Sequence, residues 1–135
     1  MAAETIFDPL RRKDVAATPE EQVRQWFIGV LLASAGVPRH QMMSEAPLSL
    51  GGKRWRADIL VYGHNGSPLA VVECKRPGVD IDAGVAAQAM RYNQVLDVRW
   101  IMLTNGDRTL VFRRQGGNFA ACSGLPTYEE MLCQQ

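Results

Sequence analysis

Cysteine is scarce in this sequence. Cys74, Cys122 and Cys133 are an odd number without metal-ligand spacing, which argues against a disulfide framework and for a reducing compartment, the cytoplasm. Long apolar runs are also missing. The longest candidate, Trp26 to Ala35, is interrupted by Gly29 and Ser34 and falls short of the ~18 residues a membrane span requires. Met1-Ala2-Ala3-Glu4 lacks the basic start and apolar stretch of a secretory signal, so no membrane association is expected. Nor does one sign of charge dominate. Fifteen basic and 14 acidic residues leave a formal net charge of +1, which excludes a basic tail that would by itself announce nucleic acid. There is no internal repeat and no low-complexity segment.

What is present fits one small core. The 135 residues are 47% hydrophobic, enough for a single domain and too few for a motor or a second catalytic domain. Residues 1–17 read as a leader with little periodicity, and residues 18–135 as the domain. Thr18-Pro19-Glu20-Glu21 starts a helix, with Thr18 as N-cap and Glu21 completing a capping box. Val23, Trp26, Phe27, Val30 and Leu31 follow at helical spacing, and Gly36 ends the helix. After an irregular or helical piece at 38–43, strands are expected at Glu45–Leu50, Arg56–Tyr62 and Leu69–Lys75, with Gly51-Gly52 as the first turn. A second helix, capped by Asp80 or Asp82, runs to Leu96. Strands at Arg99–Thr104 and Thr109–Arg113 follow, and one last helical turn falls near Tyr128–Leu132. The order predicts an α/β fold, a mixed five-stranded sheet flanked by helices.

The turn at His64-Asn65-Gly66-Ser67 carries a calculable consequence. If Asn65-Gly66 is a two-residue hairpin loop, partners sum to 131, and Asp58 faces Glu73. Opposed residues share a face, with Cβ atoms ~4.5–5.5 Å apart, and like charges so placed repel. A divalent cation resolves the conflict, because Mg²⁺ takes one or two carboxylates plus waters and phosphate oxygens. Lys75, two residues beyond Glu73, lies on the same face. Its ammonium can orient an attacking water or neutralise charge on a phosphate. Arg56 sits opposite Lys75 in this register. Lys53, Arg54, Arg56, Lys75 and Arg76 form a local basic excess between residues 51 and 76, readable as a solvated hairpin surface or as a nucleic-acid contact.

Arg56-Ala57-Asp58 on one strand and Glu73-Cys74-Lys75 on the next resemble the PD-(D/E)xK nucleases, although alanine, not proline, precedes Asp58. The resemblance implies a restriction-endonuclease-like core, Mg²⁺ (or Mn²⁺ in its place) on Asp58 and Glu73, and a lysine that positions water for phosphodiester cleavage. About residues 18 to 112 are similar to the N-terminal nuclease domain of type I restriction enzyme R subunits. The matching segments are Thr18-Pro19-Glu20-Glu21-Gln22-Val23-Arg24, Arg56-Ala57-Asp58-Ile59, Val72-Glu73-Cys74-Lys75-Arg76-Pro77, Gln88-Ala89-Met90-Arg91-Tyr92-Asn93 and Leu103-Thr104-Asn105-Gly106.

That family implies further site residues. Gln88 and Tyr92 match its Gln-x-x-x-Tyr signature and share one helix face. The backbone carbonyl of Cys74 is a further metal ligand, its side chain pointing to the opposite face. A glutamate from the first helix also belongs to the site. Glu20 borders the core-facing stripe while Glu21 is turned away from it, so Glu20 is the preferred candidate. The implied activity is Mg²⁺-dependent hydrolysis of DNA. The alternative is a non-catalytic DNA-binding or subunit-interaction module. DNA, other restriction-system subunits and a second copy of the chain are the expected partners. His40 and His64 have no partner at catalytic spacing, and Gly51-Gly52-Lys53-Arg54 is not a phosphate-binding loop. Trp26 and Trp100 read as core. Trp55, within the basic stretch, suits either a base-stacking or a rim position.

Overall fold

The computed structural model describes residues 4–50, 52–92 and 97–133. The segment expected to be a leader instead contains an antiparallel hairpin of β1 (Thr5–Asp8) and β2 (Lys13–Ala16). Asp8, fully buried, organises its turn: its Oδ1 accepts from the Leu10 and Arg11 N–H groups at 2.8 and 3.3 Å. Strands of four residues are too short for their alternation to stand out in a sequence.

Helix α1 (Pro19–Ala33) starts as its cap residues predict, with the Glu21 N–H donating to Thr18 Oγ1 at 3.1 Å. The box is not reciprocal, however. The Thr18 N–H donates to Ala16 O, and the Glu21 carboxylate goes to two arginines. Val23, Phe27, Ile28 and Leu31 are buried, whereas Trp26 is 48% exposed and not the core residue it was expected to be. Beyond α1, Gly36 adopts φ +70°, and the Val37 N–H returns to Leu31 O at 2.9 Å. This closes the helix with a left-handed residue that glycine adopts without a Cβ clash.

A 3₁₀ turn at Arg39–Gln41 leads into a six-stranded mixed sheet of β3 (Met42–Leu50), β4 (Lys53–Tyr62), β5 (Pro68–Cys74), β6 (Trp100–Thr104), β7 (Thr109–Gln115) and β8 (Asn118–Cys122). Spatial order follows chain order, and only β5 and β6 run parallel. Helix α2 (Ala83–Tyr92) lies in the crossover that a parallel pair requires. The sixth strand is the addition to the expected five; the glycines at 116 and 117, which form its turn, obscured it. The Gly51 half of the first turn and the expected helix end at Leu96 lie outside the described residues.

Both faces of the sheet are covered. Ile59, Val61, Val72, Trp100 and Met102 pack with α1, and Leu60, Val71, Ile101 and Leu103 cluster with Ile81, Ala86 and Val98 near α2. Burial on two sides explains why Trp100–Thr104 is buried at every position.

The β4–β5 register sums to 131 as calculated, through Ile59↔Val72, Leu60↔Val71 and Val61↔Ala70. The loop that produces it differs. Gly63 and Ser67 bracket a three-residue connection: the Gly66 N–H donates to Gly63 O at 3.0 Å, and Gly66 has φ +80°. A shift at Val61/Tyr62 then brings Tyr62 opposite Pro68 and absorbs the extra residue. Two departures from the simple turn cancel within the strand body.

Helix α3 (Tyr128–Leu132), with a complete capping box of Thr127 and Glu130, is stapled to the sheet end. Trp100 Nε1 donates to Met131 O at 3.1 Å, and the Tyr128 hydroxyl to Tyr62 O at 2.7 Å. Tyr128→Phe should therefore cost about 0.5–1.5 kcal/mol in urea unfolding, the net value of one such bond, without changing the secondary structure seen by circular dichroism.

Candidate active site

The sheet pairing stops where the site begins. The last described β4–β5 pair is Ile59↔Val72, one step before Asp58 and Glu73 would oppose. There the Asp58 carboxylate takes over, and the Cys74 peptide N–H donates to its Oδ2 at 2.7 Å. Asp58 is thus fastened to the main chain between Glu73 and Lys75, both half-buried. The Lys75 N–H donates to Thr104 O at 2.8 Å, continuing the β5–β6 ladder to the site. On the other side the β3–β4 ladder skips one pair without a change of register. Ser44 pairs with Ile59 and Ala46 with Ala57, leaving Glu45 unpaired across from Asp58 with φ +54°.

Arg24 of α1 holds this region together. It is 5% exposed. Its Nη2 lies 2.8 Å from Glu45 Oε1 and 3.9 Å from Asp58 Oδ1, and its Nη1 donates to Ser44 Oγ at 3.4 Å. Its Nε is 3.2 Å from Glu21 Oε2, an ion pair out of hydrogen-bond alignment. Glu21 in turn meets Arg11 Nη2 at 2.7 Å, and Arg11 Nε donates to Asp8 Oδ2. Charges of alternating sign therefore run from the N-terminal hairpin to Asp58.

Burial and charge act in opposite directions here. Burial is the largest influence on Asp58 and raises its pKa above 3.8; the Cys74 N–H and Arg24 oppose it, and the charges of Glu20 and Glu45 reinforce it. For Glu45, burial is again the largest single influence and would raise the pKa, but the Arg24 hydrogen bond and surrounding cations together lower it below 4.5. Asp8 follows the same pattern: burial opposes ionisation, and hydrogen bonds from Arg11, Leu10 and Ser44 bring its pKa below 3.8. Burial pushes the Cys74 thiol far up, so it stays protonated within the core.

The other expected site residues fall as follows. Glu20 is exposed in the first turn of α1, but its charge reaches both Asp58 and Cys74. Glu21, expected to turn away from the core-facing side, is instead buried at 6% exposure; the two arginines beside it make a buried carboxylate tolerable. Gln88 is exposed on α2, and no described contact joins it to Asp58 or Glu73. Tyr92 closes α2, and its side chain lies outside the described residues. Lys53, Arg54, Arg56 and Arg76 are exposed. Arg24, Glu45, Ser44, Asp8 and Arg11 escaped the sequence reading. Arg24 had a legible signal: it lies three, four and seven residues before Phe27, Ile28 and Leu31, a cation in the buried stripe.

The available donors suit a hard cation. Asp58, Glu73 and the Cys74 carbonyl offer only oxygen. Among the described residues no three His, Cys, Asp or Glu side chains gather into a metal-binding group. Two carboxylates completed by a carbonyl, water and phosphate oxygens is the pattern Mg²⁺ uses where no all-protein cage exists.

Fold and sequence pattern together define a restriction-endonuclease-like domain. Residues 19–126 match the family described as the type I restriction enzyme R protein N terminus, and the chain belongs to that family. It is 43% identical over 51 residues to the type I restriction enzyme EcoAI endonuclease subunit of Escherichia coli, a match covering 38% of this chain and 6% of that subunit. The fold is shared with a fragment of a presumed HsdR subunit of a type I restriction enzyme from Vibrio vulnificus YJ016. That match has a TM-score of 0.65 and 24% identity, over 83% of this chain and 24% of that one. It is shared also with a presumed nuclease from Anabaena variabilis ATCC 29413, with a TM-score of 0.52 and 13% identity over 89% and 86% of the two chains. Among the described residues no helix is long and apolar enough to cross a membrane.

Two outcomes follow from the charge network. Arg24→Met leaves Glu21, Glu45 and Asp58 without their shared cation and should cost about 3–5 kcal/mol, the usual effect of breaking a buried ion pair, read by urea denaturation. The second concerns acid. Because Asp8 and Glu45 titrate below their ordinary values of 3.8 and 4.5, their stabilisation is full above those values. It is lost as pH falls through the lower folded values. Asp58, shifted upward, acts in the opposite sense and favours the folded state more at low pH. Urea midpoints measured from pH 7 to 2 should decline below pH 4.5, and Asp8→Asn should flatten that decline.

Proposed function

We propose that this domain is a Mg²⁺-dependent endodeoxyribonuclease of the restriction type, with Mn²⁺ able to substitute. The observation that supports the reading is the anchoring of Asp58 on the Cys74 peptide N–H, between Glu73 and Lys75, where β4 and β5 part. Asp58, Glu73 and the Cys74 carbonyl would hold the ion, which when bound supplies Lewis-acid polarisation of the scissile phosphate and acidification of water.

The chain's own residues do the rest. The Lys75 ammonium holds the attacking water by donating to it and offsets negative charge developing on the phosphate. Arg24 attracts the Asp58 carboxylate and, by binding Glu45 more closely, lessens the repulsion between the two acids. Glu20 adds negative charge at the rim. Gln88 and Tyr92, one turn apart on α2, position the nucleic acid. A larger R subunit, its partner subunits or a second copy of this chain would direct the domain to its substrate.

Incubation of the purified chain with plasmid DNA and Mg²⁺ or Mn²⁺ tests this directly. Asp58→Ala, Glu73→Ala and Lys75→Ala should each lower cleavage at least about a hundredfold, as expected for loss of a transition-state contact, with circular dichroism showing that each variant remains folded at the assay temperature. Calorimetric titration with Mn²⁺ should lose its binding heat in Asp58→Ala. Cleavage that survives both Asp58→Ala and Lys75→Ala would overturn the assignment.

A further inference from the structure

The β3–β4 ribbon continues beyond the sheet. Described β5 partners of β4 extend only from Ile59 to Tyr62, whereas β3 pairs with β4 as far as Leu50↔Lys53. The segments 46–50 and 53–57 therefore form a two-stranded arm with no third strand among the described residues. Residues 46–57 contain no acidic side chain. Lys53, Arg54 and Arg56 are exposed along the arm. Arg56 keeps 75% side-chain exposure while its Nη1 lies 3.7 Å from Glu45, a carboxylate already engaged by Arg24. A notch of about 390 Å³ is lined by Pro47, Leu48, Ser49, Arg54, Trp55 and Arg56. Leu48 and Trp55 are cross-strand partners on one face of the arm, while Pro47, Ser49, Arg54 and Arg56 belong to the other, so the apolar and cationic residues of the notch lie on opposite faces of the ribbon.

The spacing along β4 adds direction. Arg54, Arg56 and Asp58 alternate on one strand, and two residues of strand advance about 6.8 Å. That step is close to the separation of neighbouring phosphates along one nucleic-acid strand. Guanidinium groups are suited to phosphates, and an indole to the face of an unpaired base.

We propose that the arm is a single-strand DNA-binding site. Arg54 and Arg56 take consecutive phosphates on one face of the ribbon leading toward Asp58, and a base turned around the open edge of β4 stacks against Trp55 on the other face. The choice of DNA as ligand rests on the nuclease reading; the binding site rests on the arm's own geometry and charge. The domain would thus engage one strand next to the cut, with Lys53 adding charge farther along.

The test is fluorescence anisotropy on the full chain without divalent metal, using a fluorescein-labelled oligothymidylate and a duplex of the same length. Arg54→Ala/Arg56→Ala should weaken binding to the oligothymidylate at least about tenfold. It should also reduce the salt slope by about 1.4, two phosphate contacts at about 0.7 each on a single strand. Trp55→Ala should weaken the same complex about fivefold to a hundredfold, the range for losing one stacked base; Trp55→Phe should restore most of it, and the duplex should respond less. Absence of binding by the parent chain, parental affinity in the double variant, or an equal Trp55→Ala effect on duplex and single strand would each overturn the proposal. Lys75→Ala separates the two readings. If it binds like the parent while the parent cuts no DNA, the nuclease reading fails and the arm stands. If the parent cuts but the arm variants bind like it, only the arm fails.

Discussion

A guanidinium almost shut off from water persists only where anions surround it. Arg24 meets this condition because three separate elements contribute: Glu21 from its own helix, Glu45 and Ser44 from β3, and Asp58 from β4. The dependence is mutual. Glu45 occupies a left-handed conformation costly for a residue with a side chain, and its 2.8 Å contact to Arg24 offsets that cost. The same gap in the β3–β4 ladder leaves Asp58 without a backbone-paired neighbour on that side. Asp58 then bonds toward β5. One buried cation thereby couples the docking of α1 to the opening between strands.

The surrounding charges are ordered, not merely balanced. From Asp8 through Arg11, Glu21 and Arg24 to Asp58, each charge neighbours the opposite sign. Asp58 lies at the end of this sequence with the weakest contact, at 3.9 Å. Its other oxygen is committed to a peptide N–H. A carboxylate so placed is oriented by the network without being fully neutralised by it, as the cation site proposed for it requires.

Much of the fold was legible because it depends on local signals. The Thr18 cap, the periodic apolar face of α1 and the apolar runs of β4 to β6 all carried over. The register of Ile59 with Val72 was correct although its loop was not: a three-residue turn and a bulge compensated for each other. Two kinds of information were missing. Short elements such as β1, β2 and β8 have too few residues to show a period. Buried charge was the other gap. Counting apolar positions ranked Glu20 above Glu21, because such counting does not see Arg11 arriving from a hairpin ten residues earlier in the chain. Asp58, Glu73 and Lys75 entered the candidate site through a motif and Arg24 stood legibly in an apolar stripe, whereas Glu45 becomes visible only when helix and strands are brought together.

The hairpin of β1 and β2 and the helix α3 share one property. Both lie outside the residues 19–126 that carry the family likeness, yet each supplies bonds to elements inside it: Arg11 to Glu21, and Tyr128 to the end of β4. Similarity thus marks an interval smaller than the set of residues that hold one another in place. A fragment cut to the matching residues would leave Glu21 with half its cations and the far end of β4 uncovered. For grafting this domain onto another protein, the hairpin and α3 would have to travel with the residues where the resemblance lies.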